Sequence, residues 1–334
     1  MSSLNASRQP PGSVRPVNLR TDLVALADLI ELVFATTMDE SGRAAIREMR
    51  ALSHLGGAVG LLSRLNELAL GIGLGYVWMV GDRLVGNVSI YPATSPYRPN
   101  EAWIIANVGV HPDYQRMGIA RRLMHTALDA IQTRRGQWAL LQVDYDNHSA
   151  IDLYQSLGFV QERAFTTWNR HGLSVPPRSS DERVFITRRR PTEWAQEYAF
   201  VERLRPSEQG GIGWQRPIRK ALFRKPLLEQ VWDWVTLNTI ERLVIRSDNE
   251  EQIMAAVWVE NSLSGFRTRL TLFNDPALPP LYAESLLNTL VRRFRSSTLT
   301  IEHPYDDVAA TTLLRTHQFM PERTLRHMRY DVPR

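Results

Sequence analysis

Shifted by 160 residues, the chain falls on itself. YDNHSAIDLYQSLGFVQER (Tyr145–Arg163) aligns without a gap on YDDVAATTLLRTHQFMPER (Tyr305–Arg323), and Tyr, Asp, Ala, Leu, Phe, Glu and Arg recur at matching positions. Each copy follows a strand-like run, WALLQVDY or TLTIEH, and each run follows a longer amphipathic stretch. Self-similarity at one long offset marks a duplicated fold. The 334 residues then divide into two domains of ordinary size, ~150 residues each. The run Arg188-Arg189-Arg190 before Pro191 reads as the junction. The expected organisation is a disordered leader over 1–13, a first domain over 14–190 and a second over 191–334.

Periodicity gives the order of elements inside each copy. Val14–Leu19 alternates as a short strand. Thr21 or Asp22 can cap a helix whose apolar face is Leu23, Leu26, Leu29, Ile30 and Val33. Arg43–Leu70 is helical but broken by Gly56, Gly57 and Gly60. GYVWMVGDRLVGNVSIYP is a hairpin about Gly81-Asp82, and EAWIIANVGV is the next strand. Gly118–Arg134 is an amphipathic helix with Leu123, Met124, Ala127, Leu128 and Ile131 on one face. WALLQVDY is a buried strand, SAIDLYQSLGF a short helix ended near Gly158, and VQERAFTTW with ERVFITRRR a closing pair of strands. After the junction come a helix over Glu193–Leu204, another over Leu227–Leu237, strands LVIRS, MAAVWVE and FRTRLTLF, a helix over Tyr282–Phe294, strand TLTIEH, a short helix and RHMRYDV. This is a mixed α/β sheet, twice.

Composition excludes several classes. There is no cysteine, so disulfides, thiolate zinc sites and cysteine nucleophiles are out, and a cytoplasmic location is expected. No apolar run reaches the ~18 residues of a membrane helix, and the best candidate, Leu55–Leu62, is soon broken by Arg64, Asn66 and Glu67. The N-terminus has no apolar core of a secretory signal. The net charge of +5 rests almost wholly on arginine, since Lys220 and Lys225 are the only lysines. The basic residues are scattered rather than set in a stripe, so no nucleic-acid partner is expected.

The chemistry concentrates where a strand turns into a helix, at Gln115-Arg116-Met117-Gly118-Ile119-Ala120. The first turns of a helix leave N–H groups without intrahelical partners, and with the helix dipole these attract an anion. Small residues let a phosphate approach the backbone. Arg121 and Arg122 add positive charge. Two readings stay open on these residues alone: a tight turn with a packing glycine, and an anion cradle. No GxGxxG is present, and strand and helix do not alternate as in a dinucleotide fold.

V-G-V-H-P-D-Y-Q-R-M-G-I-A (Val108–Ala120) and N-H-S-A-I-D-L-Y-Q-S-L-G-F (Asn147–Phe159) together resemble the GNAT superfamily of acetyl-CoA-dependent N-acetyltransferases, over Val14 to about Arg190. The resemblance implies two tandem GNAT-like domains, each a mixed, mostly antiparallel sheet flanked by helices, with a splayed central strand pair in the first. It implies that the amides of Gln115–Ala120 hold the pyrophosphate of coenzyme A, and that the strand at Val108, Gly109 and Val110 pairs with the pantetheine arm and bonds the acetyl carbonyl. Asn147 matches the pantetheine-contacting asparagine. Tyr154 matches the general acid for the departing thiolate. The residue-level alternatives are a helix cap for Asn147 and a core aromatic for Tyr154.

A general base is less evident. Family members often place a carboxylate where this chain has Asn107 or Gln142, both neutral amides. Glu101 and Asp144 are the nearest carboxylates, and Tyr91 can hold a water. Glu101, acting through water, is the expected base. The alternative is uptake of the neutral fraction of the amine.

In the second copy Leu314 replaces Tyr154, Asp307 replaces Asn147 and Gln318 replaces Gly158. Pro279 and Pro280 remove two N–H donors from its turn. This copy is expected to be degenerate and to lack the coenzyme loop. Two roles stay open for it, a wall of the acceptor site and a purely stabilising partner.

The expected function is transfer of acetyl from acetyl-CoA, as co-substrate and without metal, to a primary amine of a small molecule or peptide N-terminus. The alternatives are a non-catalytic acyl-CoA-binding regulator and a synthase acting on an amino sugar conjugate. No membrane partner is expected, and the chain is read as a monomer that is a pseudo-dimer, or as a homodimer.

Overall fold

The structure, a computed structural model, describes residues 11–38, 40–53, 74–93, 97–98, 100–172, 184–213, 216–224, 240–247, 249, 252–261 and 267–333. The chain forms two compact units that interleave along the sequence. The first comprises Met1–Leu141, Asp152–Phe159 and Arg329–Arg334, and the second Gln142–Ile151 and Val160–Met328.

The first unit is built from β1 (Ser13–Pro16), α1 (Leu23–Phe34), α2 (Glu40–Ser53), β2 (Tyr76–Val80), β3 (Arg83–Pro92), β4 (Ala102–Val110), α3 (Ile119–Thr133) and the start of β5 (Trp138–Asp144). Its strands lie in the order β1-β2-β3-β4-β5. Neighbours from β1 to β4 are antiparallel, and β4 runs parallel to β5. The hairpin turns at Gly81, whose φ of 57° suits glycine. The period-3.6 stripe of α1 works as read: Leu23, Leu26, Leu29 and Ile30 are buried against Val77 and Leu84. Each such side chain, fully buried, contributes about 1.5–3 kcal/mol. Asp22 stands at the helix start but does not cap it with its side chain. Its carboxylate instead takes the Arg15 guanidinium at 2.6 and 2.9 Å and the Asn18 N–H at 2.7 Å, a stronger pairing than one amide offers.

Helix α3 lies on the other face. A side chain at Gly86 of β3 would meet Ile119 Cγ2 at 3.1 Å and Leu123 Cδ1 at 3.2 Å, so the missing Cβ lets the first turn of α3 sit close to the sheet. At Gly109 of β4 the side chain would meet Val33 of α1 at 3.4 Å. α4 (His148–Ser156) follows β5.

The second unit holds β6 (Val160–Arg170), β7 (Ile186–Arg188), α5 (Trp194–Leu204), β8 (Ile240–Arg246), β9 (Ile253–Asn261), β10 (Arg267–Asn274), α6 (Leu281–Arg293), β11 (Thr298–Pro304), α7 (Val308–Thr316) and most of β12 (Met320–Asp331). The order is β12-β6-β11-β10-β9-β8-β7, with β10 parallel to β11. The plan of the first unit recurs. Leu286, Leu287, Leu290 and Val291 of α6 pack on Val257, Val259, Leu270 and Leu272. On the opposite face Phe200 and Val201 of α5 meet Val244, Ala256 and Trp258.

The expected closing pair of strands does not form. β6 pairs antiparallel with β11, and β7 with β8. An alternating pattern identifies a strand and its buried face but not its neighbour, and the nearest strand in sequence is not the one used. The last residues of the chain return to the first unit, where Val332 N donates to Gln137 O at 2.9 Å. The expected helical stretches beyond Ser53 and over Leu227–Leu237 lie outside the described residues.

Candidate functional site

The parallel β4–β5 ladder is short. Ala102, Trp103 and Ile104 pair with Trp138, Ala139 and Leu140, and no ladder pair follows. The strands therefore part just where Ile105–Val110 begins. The other edge of β4 stays paired to β3 but bulges: Ala106 faces Ser89 and Gly109 faces Asn87, so Asn107 and Val108 together oppose one residue. Asn107 takes the strain with φ 52°, a conformation asparagine tolerates better than most. Its Nδ2 lies 3.4 Å from Ser89 Oγ.

Beyond Val110 the chain makes a 3-10 turn over Pro112–Tyr114 and then enters α3. His111 N is held by Val85 O at 2.8 Å. Gln115 Nε2 hooks back onto Val110 O at 3.1 Å. Arg116 and Gly118 have φ of 62° and 83°, and this pair of left-handed residues turns the backbone N–H groups to one side. The amides of Arg116, Met117 and Gly118 have no acceptor among the described residues. The first i→i−4 bond of α3 is Arg122 N to Gly118 O, 3.2 Å. A Cβ on Gly118 would meet nothing within 4 Å, so the space before these amides is open. The result is a set of N–H donors at the start of a fifteen-residue helix, exposed and next to the splayed strand edge. It suits an anionic ligand with an extended arm.

Helix α4 carries one of the expected residues, Tyr154, and is capped by another. Asn147 precedes it and caps it, with Oδ1 accepting from Ala150 N at 3.1 Å. Its Nδ2 has no partner among the described residues. Tyr154 is 7% exposed, with its ring 5.9 Å from Phe159. Its hydroxyl has no partner among the described residues, and burial pushes the phenol well above its ordinary value. Arg121 is drawn to α4, donating to Ser156 Oγ at 2.7 Å, while Arg122 is exposed.

Glu101 is not brought to the splay. It closes a turn before β4, with its carboxylate accepting from Arg98 N at 2.7 Å. Six strand residues at about 3.3 Å each put it roughly 20 Å before the Asn107 bulge. Gln142, the other position read as lacking a carboxylate, lies 2.9 Å from His327 Nε2 of β12. His327 is 2% exposed, and burial lowers it to about 4, so it is neutral at pH 7. No sequence signal linked His327 to Gln142, nor Arg121 to Ser156. No cluster of metal-ligating side chains occurs among the described residues.

Residues 59–159 match the model of the Acetyltransferase (GNAT) family. A 52-residue stretch is 46% identical to a mycothiol acetyltransferase of Thermobifida fusca and spans 16% of each chain. A 53-residue stretch is 43% identical to the ribosomal protein bS18-alanine N-acetyltransferase of Escherichia coli, 16% of this chain and 36% of that one. The matches thus cover well under two thirds of either relative. The crystal structure of a GCN5-related N-acetyltransferase from Sphaerobacter thermophilus superposes with a TM-score of 0.59 over 96% of both chains at 14% identity, a likeness of fold.

Proposed function

We propose that this chain, whose residues 59–159 match the GNAT acetyltransferase family, moves an acetyl group from acetyl-CoA to a primary amine. The observation that carries the proposal is the splay after Ile104/Leu140 opening beside the free amides of Arg116–Gly118. In this reading those amides, with Gln115, Ile119, Ala120 and Arg121 around them, hold the pyrophosphate. The open edge of β4 at Val108, Gly109 and Val110 offers backbone groups to the pantetheine arm, and Asn147 offers its unused Nδ2. Bound acetyl-CoA supplies an activated thioester.

The protein's own groups do the rest. In this reading a backbone N–H at the bulge bonds the acetyl carbonyl oxygen, where negative charge grows during attack. Tyr154 keeps its proton, because burial disfavours the phenolate, and donates a hydrogen bond to the leaving sulfur, while the proton shed by the acylated nitrogen passes through water to the thiolate. Glu101 is not given the base role. With neutral amides at Asn107 and Gln142, the amine reacts as its neutral fraction or loses its proton to water. Catalysis is assigned to 14–190, and 191–334 to a copy without the coenzyme loop.

The neutral Asn107 and Gln142 favour one second reading, a regulator that binds acyl-CoA without turnover. Thiol release measured against a panel of amines separates the two. Turnover with at least one amine class, together with one coenzyme bound per chain, is expected. Tight acetyl-CoA binding with no thiol release from any amine would select the regulator.

A further inference from the structure

The second unit repeats the splay and then fills it. β10 and β11 pair from Arg267/Thr298 to Leu270/Ile301 and no further. Leu272 and His303 each lie two residues past that point, one on each strand. Arg205 Nη2 donates to Leu272 O at 2.6 Å and lies 3.1 Å from His303 Nδ1. One guanidinium nitrogen thus joins both strands beyond the end of their ladder. The guanidinium also rests 5.0 Å from the centre of the Phe273 ring. Arg205 is 3% exposed and His303 1%.

The bonding fixes the chemistry of the cluster. Burial lowers the His303 imidazole to about 4, so it is neutral at pH 7, with one nitrogen accepting and the other donating. Nδ1 accepts from Arg205. Nε2–H donates to Asp307 Oδ2 at 2.9 Å. Asp307 Oδ1 caps α7 through Ala310 N at 2.9 Å. Burial also lowers Arg205, to about 9, which leaves it charged. A buried cation is costly unless paired, and here a carbonyl, an imidazole and a ring face offset that cost.

The repeat shows what changed. At the 160-residue offset His303 corresponds to Val143, Asp307 to Asn147 and Leu314 to Tyr154. Arg205 is the residue that ends α5, as Ala35 is the residue that ends α1. The turn before α6 is also unfit for a pyrophosphate. Pro279 and Pro280 lack N–H groups. Asp275, held anionic by Arg203 at 2.6 Å, already takes Ala277 N at 3.0 Å.

We propose that Arg205 is a built-in occupant of the second splay: its guanidinium bridges the two strand edges where a coenzyme-binding copy would admit a pantetheine arm, and so closes the C-terminal copy to coenzyme A from within. The inference rests on reading the splay of the first copy as the coenzyme slot.

The test is Arg205→Ala in the full chain. The thermal midpoint should fall by roughly 5–10 °C, and added methylguanidinium should restore a large part of the loss while methylammonium at equal ionic strength should not. Titration should give one coenzyme per chain in the wild type. A variant without loss of midpoint, a loss not rescued selectively by methylguanidinium, or two coenzymes per wild-type chain would each overturn the proposal. Should Arg205→Ala not fold, NMR of the wild type decides. Slowly exchanging guanidinium protons and a His303 that stays neutral, with its proton on Nε2, at pH 6 are expected. Fast exchange with His303 titrating near its ordinary value would refute the bridge. If no coenzyme binds at all, the reading of the first copy fails, while the midpoint, rescue and NMR results still judge Arg205.

Discussion

Arg121 Nη2 donates to Ser156 Oγ at 2.7 Å and so ties the first turn of α3 to the last turn of α4. The hydroxyl proton of Ser156 goes to Leu153 O at 2.6 Å, which leaves its lone pairs for the guanidinium. One exposed bond therefore links the proposed phosphate turn to the helix that carries Tyr154. Ser156→Ala should leave stability nearly unchanged yet raise KM for acetyl-CoA by about 2–10-fold, the worth of one hydrogen bond. Steady-state kinetics beside a thermal melt checks this. An unchanged KM would reduce the bond to a surface contact.

Tyr154→Phe keeps the buried ring and removes only the hydroxyl. Thiols leave with a pKa near ~8.5, and burial puts the Tyr154 phenol above its own ordinary value. The phenol is thus a proton-holding donor rather than a group that ionises in the working range. Thiol release should drop ~10²-fold with coenzyme affinity retained, and ultraviolet titration should show no ionisation of this tyrosine below about pH 10. Equal turnover in variant and wild type would remove Tyr154 from the reaction.

Gly118 serves the fold and the ligand in separable ways. Its φ of 83° costs an ordinary residue about 1–2 kcal/mol, asparagine less. The space beyond it is open, so a side chain there meets the ligand rather than the protein. Gly118→Asn should fold nearly as well as the wild type and still bind coenzyme more weakly, while Gly118→Glu should abolish binding by charge. Calorimetric titration beside denaturant melts separates the two effects. Full coenzyme affinity in Gly118→Glu would place the pyrophosphate elsewhere.

With no carboxylate at Asn107 or Gln142, proton removal from the amine should follow the amine's own pKa. The log of kcat/KM should rise with unit slope up to about pH 8 for an α-amine and about 10 for an alkylamine. A plateau reached near pH 6–7 with an alkylamine would reveal a protein base that these residues do not provide.

Much of this was legible in the sequence. The stripe of Leu23, Leu26 and Ile30 and the face of Leu123, Met124 and Ile131 gave helices within a residue or two of those observed, because burial enforces the period that the pattern displays. The turn at Gly118 was legible because only particular residues accept its backbone. What stayed hidden were partners. β6 joins β11 rather than β7, since alternation carries no address. Asp22 turned from capping to Arg15 because a charge outcompetes an amide. Arg205 looked like one more arginine, and only the fold brings it between Leu272 and His303. Glu101 was near the site in sequence and far along an extended strand, where each residue adds about 3.3 Å.

Acid should unfold the protein through its buried histidines. His303 and His327 are each lowered by burial from 6.5 to about 4, and His317 is lowered by the same cause. In the unfolded chain all three regain an ordinary value near 6.5. Above that pH both states are neutral and stability does not change. Between about 6.5 and 4 the unfolded chain binds protons that the folded chain refuses, so stability falls as pH falls. His303 and His327 should each account for about 3 kcal/mol over that window. Urea unfolding between pH 7.5 and 4 should therefore show a steep loss beginning near 6.5, with about two protons taken up per chain on unfolding at pH 5. The direction is opposite to that of a histidine gaining a carboxylate partner, which would lose stability as pH rises. A flat profile from pH 7 to 5 would mean that burial does not hold His303 and His327 neutral in the folded chain.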